Sequence, residues 1–237
     1  MLKKILFGAL TVLLALSLVG CGAKKDAAKP AEAPAEQKAE VTVEGSPDKA
    51  VLACAQLSAY GKTDAENQKA AGLTDEQVKG IKEKVLTPFV DAFKMYPLSD
   101  ESVTKMTDKY VEKLQAATNI KATVKTEDKE HPVVELSAVT INQEGAAKLT
   151  ETNEDLTTLA TAYNELKAQG LTDEDLKTSP DFQQFALESI DNFINEFPLN
   201  AEAKIDVTCK ITDGADGKKY WAPENPEAVA KFVSGQK

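Results

Sequence analysis

Apolar residues from Ile5 to Leu18 form a single run behind Lys3 and Lys4, broken only by Gly8, Thr11 and Ser17. A run of that length is short for a membrane-spanning helix. A positive end, an apolar middle and small residues at the cut, around Gly20-Cys21-Gly22, give it the order of an export signal over residues 1–20. From Cys21 to Ser46 the pattern inverts. Lys29-Pro30-Ala31-Glu32-Ala33-Pro34-Ala35-Glu36 carries no large apolar side chain to offset the cost of ordering, so 21–46 reads as a flexible linker.

Beyond the linker, apolar positions recur at helical spacing. Val78, Ile81, Val85, Phe89 and Phe93 form one stripe, widened by Leu86 and Val90. Thr74 precedes it as a cap, with Gln77 as its capping-box partner and Leu73 poised to staple onto Val78. Ser99 opens a second helix with Val103, Met106, Tyr110 and Leu114 on one side. Ser179-Pro180 opens another, with Phe182, Phe185, Ile190, Phe193 and Phe197 inward. Pro47 to Tyr60, about Gly145 to Gln169, and a last segment after Asn225-Pro226 are helical by the same pattern.

Two-residue alternation marks the strands. Ile120 to Thr126 and Val133 to Ile141 read as a hairpin around Glu127-Asp128-Lys129-Glu130. Ala203 to Ile211 and Lys218 to Trp221 read as a second, turning at Asp213-Gly214-Ala215-Asp216-Gly217.

The body also echoes itself. Val41-Thr42-Val43 matches Val139-Thr140-Ile141, and Gly72-Leu73-Thr74-Asp75-Glu76 matches Gly170-Leu171-Thr172-Asp173-Glu174, both 98 positions apart. Tyr96-Pro97-Leu98 answers Phe197-Pro198-Leu199 three positions later than that spacing. The expectation is an α+β protein made of two related helix-plus-antiparallel-sheet units from an internal duplication, the first at 47–143 and the second at 144–237.

Charge narrows the partners. Among 237 residues, 28 basic side chains face 38 acidic ones, and every basic one is lysine. An acidic body without arginine lacks the planar fork that grips phosphates, which argues against nucleic acid. It is also repelled by anionic headgroups and should stand off a bilayer.

Leu18-Val19-Gly20-Cys21 resembles the lipobox of bacterial lipoproteins. That resemblance implies diacylglycerol on the Cys21 thiol, cleavage just before it, and a mature chain anchored in a membrane at the extracytoplasmic face. Outside the cytoplasm a bridge between Cys54 and Cys209 is permitted, and two buried thiols are the alternative. The order helix, helix, strands, closed by Gly217-Lys218-Lys219-Tyr220-Trp221 and preceded by Ser46-Pro47, is similar to uncharacterised Gram-positive-type lipoproteins carrying a domain of unknown function. The resemblance implies a compact α+β fold and no known activity.

Catalytic constellations are thin. The one histidine, His131, sits beside Pro132 at a hairpin tip, no glycine-rich loop follows a strand, and no cysteines stand at metal spacing. No metal, cofactor or enzymatic role is expected. The reading that remains is a membrane-tethered module binding a peptide, glycan or small molecule. Tyr96, Phe197, Tyr220 and Trp221 are its candidate aromatic ligand contacts. The alternative is a structural or protein-interaction lipoprotein of the envelope, with a hydrolase the weaker third.

Overall fold

The computed structural model describes residues 42–236. The export segment, Cys21 and most of the linker lie outside the described residues. Val43–Glu44, at the end of the stretch read as linker, form strand β1.

The remaining elements follow in chain order: α1 (Pro47–Tyr60), α2 (Ala65–Ala70), α3 (Asp75–Ala92), α4 (Asp100–Thr118), β2 (Lys121–Thr126), β3 (Val133–Ala138), α5 (Gln143–Thr152), α6 (Glu154–Ala168), α7 (Asp173–Thr178), α8 (Pro180–Asn195), β4 (Ala203–Asp213), β5 (Lys219–Pro223) and α9 (Pro226–Val233). The strands make one sheet in the order β1-β5-β4-β3-β2, antiparallel except for β1 beside β5.

One face of the sheet is apolar and the other charged, as the alternation requires. Val134 pairs with Val207 and Leu136 with Ile205. Their side chains meet Val51 and Ala55 of α1 and Val229 and Val233 of α9 in one cluster. On the opposite face Lys204 pairs with Glu135 at 2.7 Å and Lys125 with Asp206 at 2.8 Å. These exposed pairs add little stability but keep that face wet.

Helix α1 packs closely on more than one side because it is rich in alanine: Ala55 is buried in the sheet-facing cluster, and Ala50 and Ala53 are buried as well. Gly61 ends it at φ 68°, its N–H returning to Leu57 O at 2.9 Å, the left-handed stop that glycine adopts without strain. Behind α1 a second core gathers α3, α4, α6, α7 and α8 around Phe89, Phe93, Tyr110 and Phe193. Phe89 stacks on Tyr110 with ring centres 3.9 Å apart, and Phe93 meets Phe193 edge-on at 6.3 Å.

That second core corrects the two-unit expectation. Phe93 and Phe193 come from the two supposed copies, as do the paired strands β3 and β4, so the body is a single α+β domain with no evident internal duplication. The repeated Gly-Leu-Thr-Asp-Glu segments do form equivalent capping boxes, Thr74 with Gln77 and Thr172 with Asp175. The helices they start diverge: α3 continues for 18 residues, whereas α7 stops after 6, where Ser179-Pro180 restarts the chain as α8. Likewise Val139 to Ile141 leave the strand after Ala138, and Ile141 bridges singly to Leu199.

Candidate functional site

Helices α1 and α3, the α2–α3 loop, and the β5–α9 turn with the residues flanking it line a cavity of about 250 Å³. From α1 come Ala50, Cys54, Leu57 and Ser58, and from α3 come Gln77, Gly80, Ile81 and Lys84. Both sets follow the three-and-four spacing that puts residues on one helix face. Ala71 and Leu73 close one end from the α2–α3 loop, and Trp221, Ala222, Pro223 and Pro226 close the other side.

Each loop is held from behind. Gly72 stands at φ 63°, and a β-carbon there would lie 2.5 Å from Tyr220 Cδ2, so the loop carrying Leu73 is seated on the Tyr220 ring. Gln68 Nε2 adds a bond to Leu73 O at 3.3 Å and another to Asp75 Oδ1 at 2.7 Å. On the other side Glu224 N donates to Thr208 O at 2.9 Å. His131 Nδ1 from the β2–β3 tip lies 2.8 Å from Glu224 Oε1.

The lining is apolar with three polar exceptions. Ser58 Oγ is buried and has no hydrogen-bond partner among the described residues. Gln77 is exposed, and its Oε1 accepts from Thr74 N at 2.9 Å, which leaves its amide hydrogens unengaged. Lys84 is exposed and makes no ion pair among the described residues. No aspartate or glutamate lines the cavity.

Gly80 is the informative gap. It lies inside α3, where glycine costs about 0.5–1 kcal/mol relative to alanine. A β-carbon there would meet nothing within 4 Å, so no neighbour demands the glycine. Its effect is to leave the cavity wall bare.

No family model matches this chain, and no curated protein matches it. Among solved structures it is similar to one described as a "putative lipoprotein (ycdA) from Bacillus subtilis", at 15% identity and a TM-score of 0.48. The similarity covers 80% of this chain and 55% of that one, so the chain spans about half the length of that protein.

Of the four aromatic residues singled out in the sequence, Trp221 alone reaches this cavity. Tyr220 precedes it on β5, and neighbours on a strand point to opposite faces. The Tyr220 ring lies between Gly72 and Gly214, and its hydroxyl donates to Asp216 at 2.9 Å. Tyr96 is buried in the helical core, edge-on to Tyr163, with burial pushing its hydroxyl up to about 12. Phe197 packs edge-on to Phe193 and Tyr110. The four rings therefore do not form one patch.

Cys54 and Cys209 share a cluster: Cys209 is buried in it, and Cys54 packs against it from α1 while lining the cavity. Their sulfur atoms are not bonded to each other. Among the described residues no group of three or more His, Cys, Asp or Glu side chains is placed to hold a metal ion, and no helix is long and apolar enough to cross a membrane.

Leu57, Ser58, Gly80 and Lys84 were not singled out from the sequence as site residues. Gly80 carried the one available signal, an isolated glycine inside a strong helical stripe.

Proposed function

We propose that this protein is a non-catalytic binding module, anchored through lipid on Cys21 at the extracytoplasmic face of a membrane, whose site is the cavity between α1 and α3. The cavity carries the reading. It is a concave apolar space, kept open at a cost to α3 by Gly80 and walled by the chain's one tryptophan, Trp221. Apolar enclosure with a few polar groups on the lining is the usual form of a small-molecule site. At about 30 Å³ for each water-sized group, its volume suits some eight such groups, the size of a small ligand or one large apolar side chain of a peptide.

The anchor rests on the lipobox-like Leu18-Val19-Gly20-Cys21, in register behind Lys3, Lys4 and the apolar run. Detergent phase partition of the wild-type chain and of Cys21→Ala tests it, with wild type expected in the detergent phase and the variant in water.

The binding reading is tested by Trp221 emission with 1-octanol as probe. Emission should shift and saturate in the wild-type body. In Gly80→Leu, whose side chain would occupy the cavity, the shift should be lost while the fold is retained. A response that Gly80→Leu leaves intact would place binding elsewhere.

A further inference from the structure

The cavity's polar groups are all potential donors to a ligand and none is an acid. Lys84 has Gly80, Ile81, Thr87 and Pro88 as its neighbours three and four positions away on α3, so no carboxylate on its own helix neutralises it. Among the described residues other lysines and His131 are engaged in ion pairs, and no ion pair includes Lys84. Gln77 offers its amide hydrogens, because its carbonyl oxygen is committed to the capping box at Thr74 N. In a chain of formal net charge −10, a cavity lined by an unpaired ammonium and by no carboxylate is a local reversal of sign.

Resting on the reading of this cavity as a binding site, we propose that its ligand is a free single-chain carboxylate amphiphile with an alkyl tail of about eight carbons. The tail lies among Leu57, Leu73, Ile81 and Trp221, and the carboxylate pairs with the Lys84 ammonium. The size argues against a two-chain phospholipid, whose tails exceed the space, and the lining argues against a cationic head. A neutral head of the same length leaves the ammonium without its partner and forgoes a charge-assisted bond.

The test uses the chain from Gly22 onward, which keeps every helix, strand and core cluster described above. Octanoate, 1-octanol and octylammonium are titrated below their aggregation concentrations, with Trp221 emission as the readout. Octanoate should bind about tenfold more tightly than 1-octanol, and octylammonium most weakly. Lys84→Met, at an exposed position that tolerates an unbranched side chain, should weaken octanoate about tenfold and leave 1-octanol within about twofold. Should octanol bind as well as octanoate, or Lys84→Met leave octanoate unchanged, the carboxylate assignment falls while the binding site stands. Should none of the three shift Trp221 emission, the site falls with it.

Discussion

The ring of Tyr220 lies against Gly72 so closely that a β-carbon on the glycine would stand 2.5 Å from Tyr220 Cδ2. This approach and the positive φ of 63° at Gly72 together set the loop that presents Leu73 to the cavity. Gly72→Ala should cost about 1–3 kcal/mol for the backbone alone, and more where the ring must move. Urea unfolding of Gly72→Ala, Tyr220→Ala and the double variant reads the two parts separately. Removing the ring first should lower the cost of the alanine, and strict additivity would mean that the two residues do not press on one another.

Gln183 joins α8 to the turn before α4. Its Oε1 accepts from Ser99 N at 2.8 Å, and its Nε2 donates to Pro97 O at 2.9 Å and Leu176 O at 3.0 Å. Gln183→Leu strands Ser99 N and Pro97 O in a largely buried place, while Leu176 O keeps the bond from Ser179 N at 3.2 Å, and should destabilise by about 2–4 kcal/mol. Thermal or urea unfolding checks it, and a loss under about 0.5 kcal/mol would show that water replaces the carboxamide.

Cys209 is buried in the sheet-facing core, where desolvation pushes its thiol up to about 12. Buried and held as the thiol at pH 8, it should react with Ellman's reagent only on unfolding. From the Cys21→Ala chain made with its export segment, denaturation without reductant should release two reactive thiols. Release of none, restored by reductant, would mean that export has joined Cys209 to Cys54.

Acid should weaken the fold through its capping and turn carboxylates. The Thr172 hydroxyl, then its backbone N–H, holds Asp175 below the ordinary aspartate value of 3.8. Lys167 does the same for Asp173, and the Lys218 backbone N–H for Asp216. Each group binds its proton more readily in the unfolded chain, so its contribution is complete above the ordinary value and is lost as pH falls through the depressed one. Urea midpoints should be level from neutrality down to about pH 5 and decline below about pH 4. Asp175→Asn, which keeps an acceptor and removes the titration, should decline less than wild type.

Much of this architecture was legible because its causes are local. The capping residues Thr74, Ser99, Thr172 and Ser179, the stripe from Val85 to Phe93 and the Asp213–Gly217 turn are short-range signals, and each marks a real boundary. Three caps went unread, among them Asn142, which starts α5 by accepting from Gly145 N. Asp64 starts α2 by accepting from Asn67 N, and Asn153 splits the 145–169 segment by accepting from Leu156 N while donating to Glu196. All three residues look like ordinary loop or helix-surface polar groups until their partners are placed.

The site was much less legible. The aromatic residues Tyr96 and Phe197 draw attention in a sequence because they are large, yet size suits them to the core. The cavity instead depends on what is missing among the described residues: a side chain at Gly80, a carboxylate in the lining beside Lys84, a partner for Ser58 Oγ. Such absences become visible only when α1, α3 and β5 are brought together, and that meeting is set by long-range packing.

Ser58→Ala offers a check on this last point, since it removes a buried hydroxyl without a partner and puts a better helix former in α1. It should raise stability by about 0.5–1.5 kcal/mol in urea unfolding. A loss of similar size would mean that a bound water or ligand satisfies the hydroxyl.

The most direct measurement of the central claim is a residue-resolved map of where an apolar probe settles. Amide NMR spectra of the body titrated with 1-octanol should show saturable shifts concentrated at Leu57, Leu73, Gly80, Ile81 and Ala222, with the Trp221 indole among the largest. Shifts scattered over the surface, or confined to the helical core around Phe89 and Phe193, would contradict it.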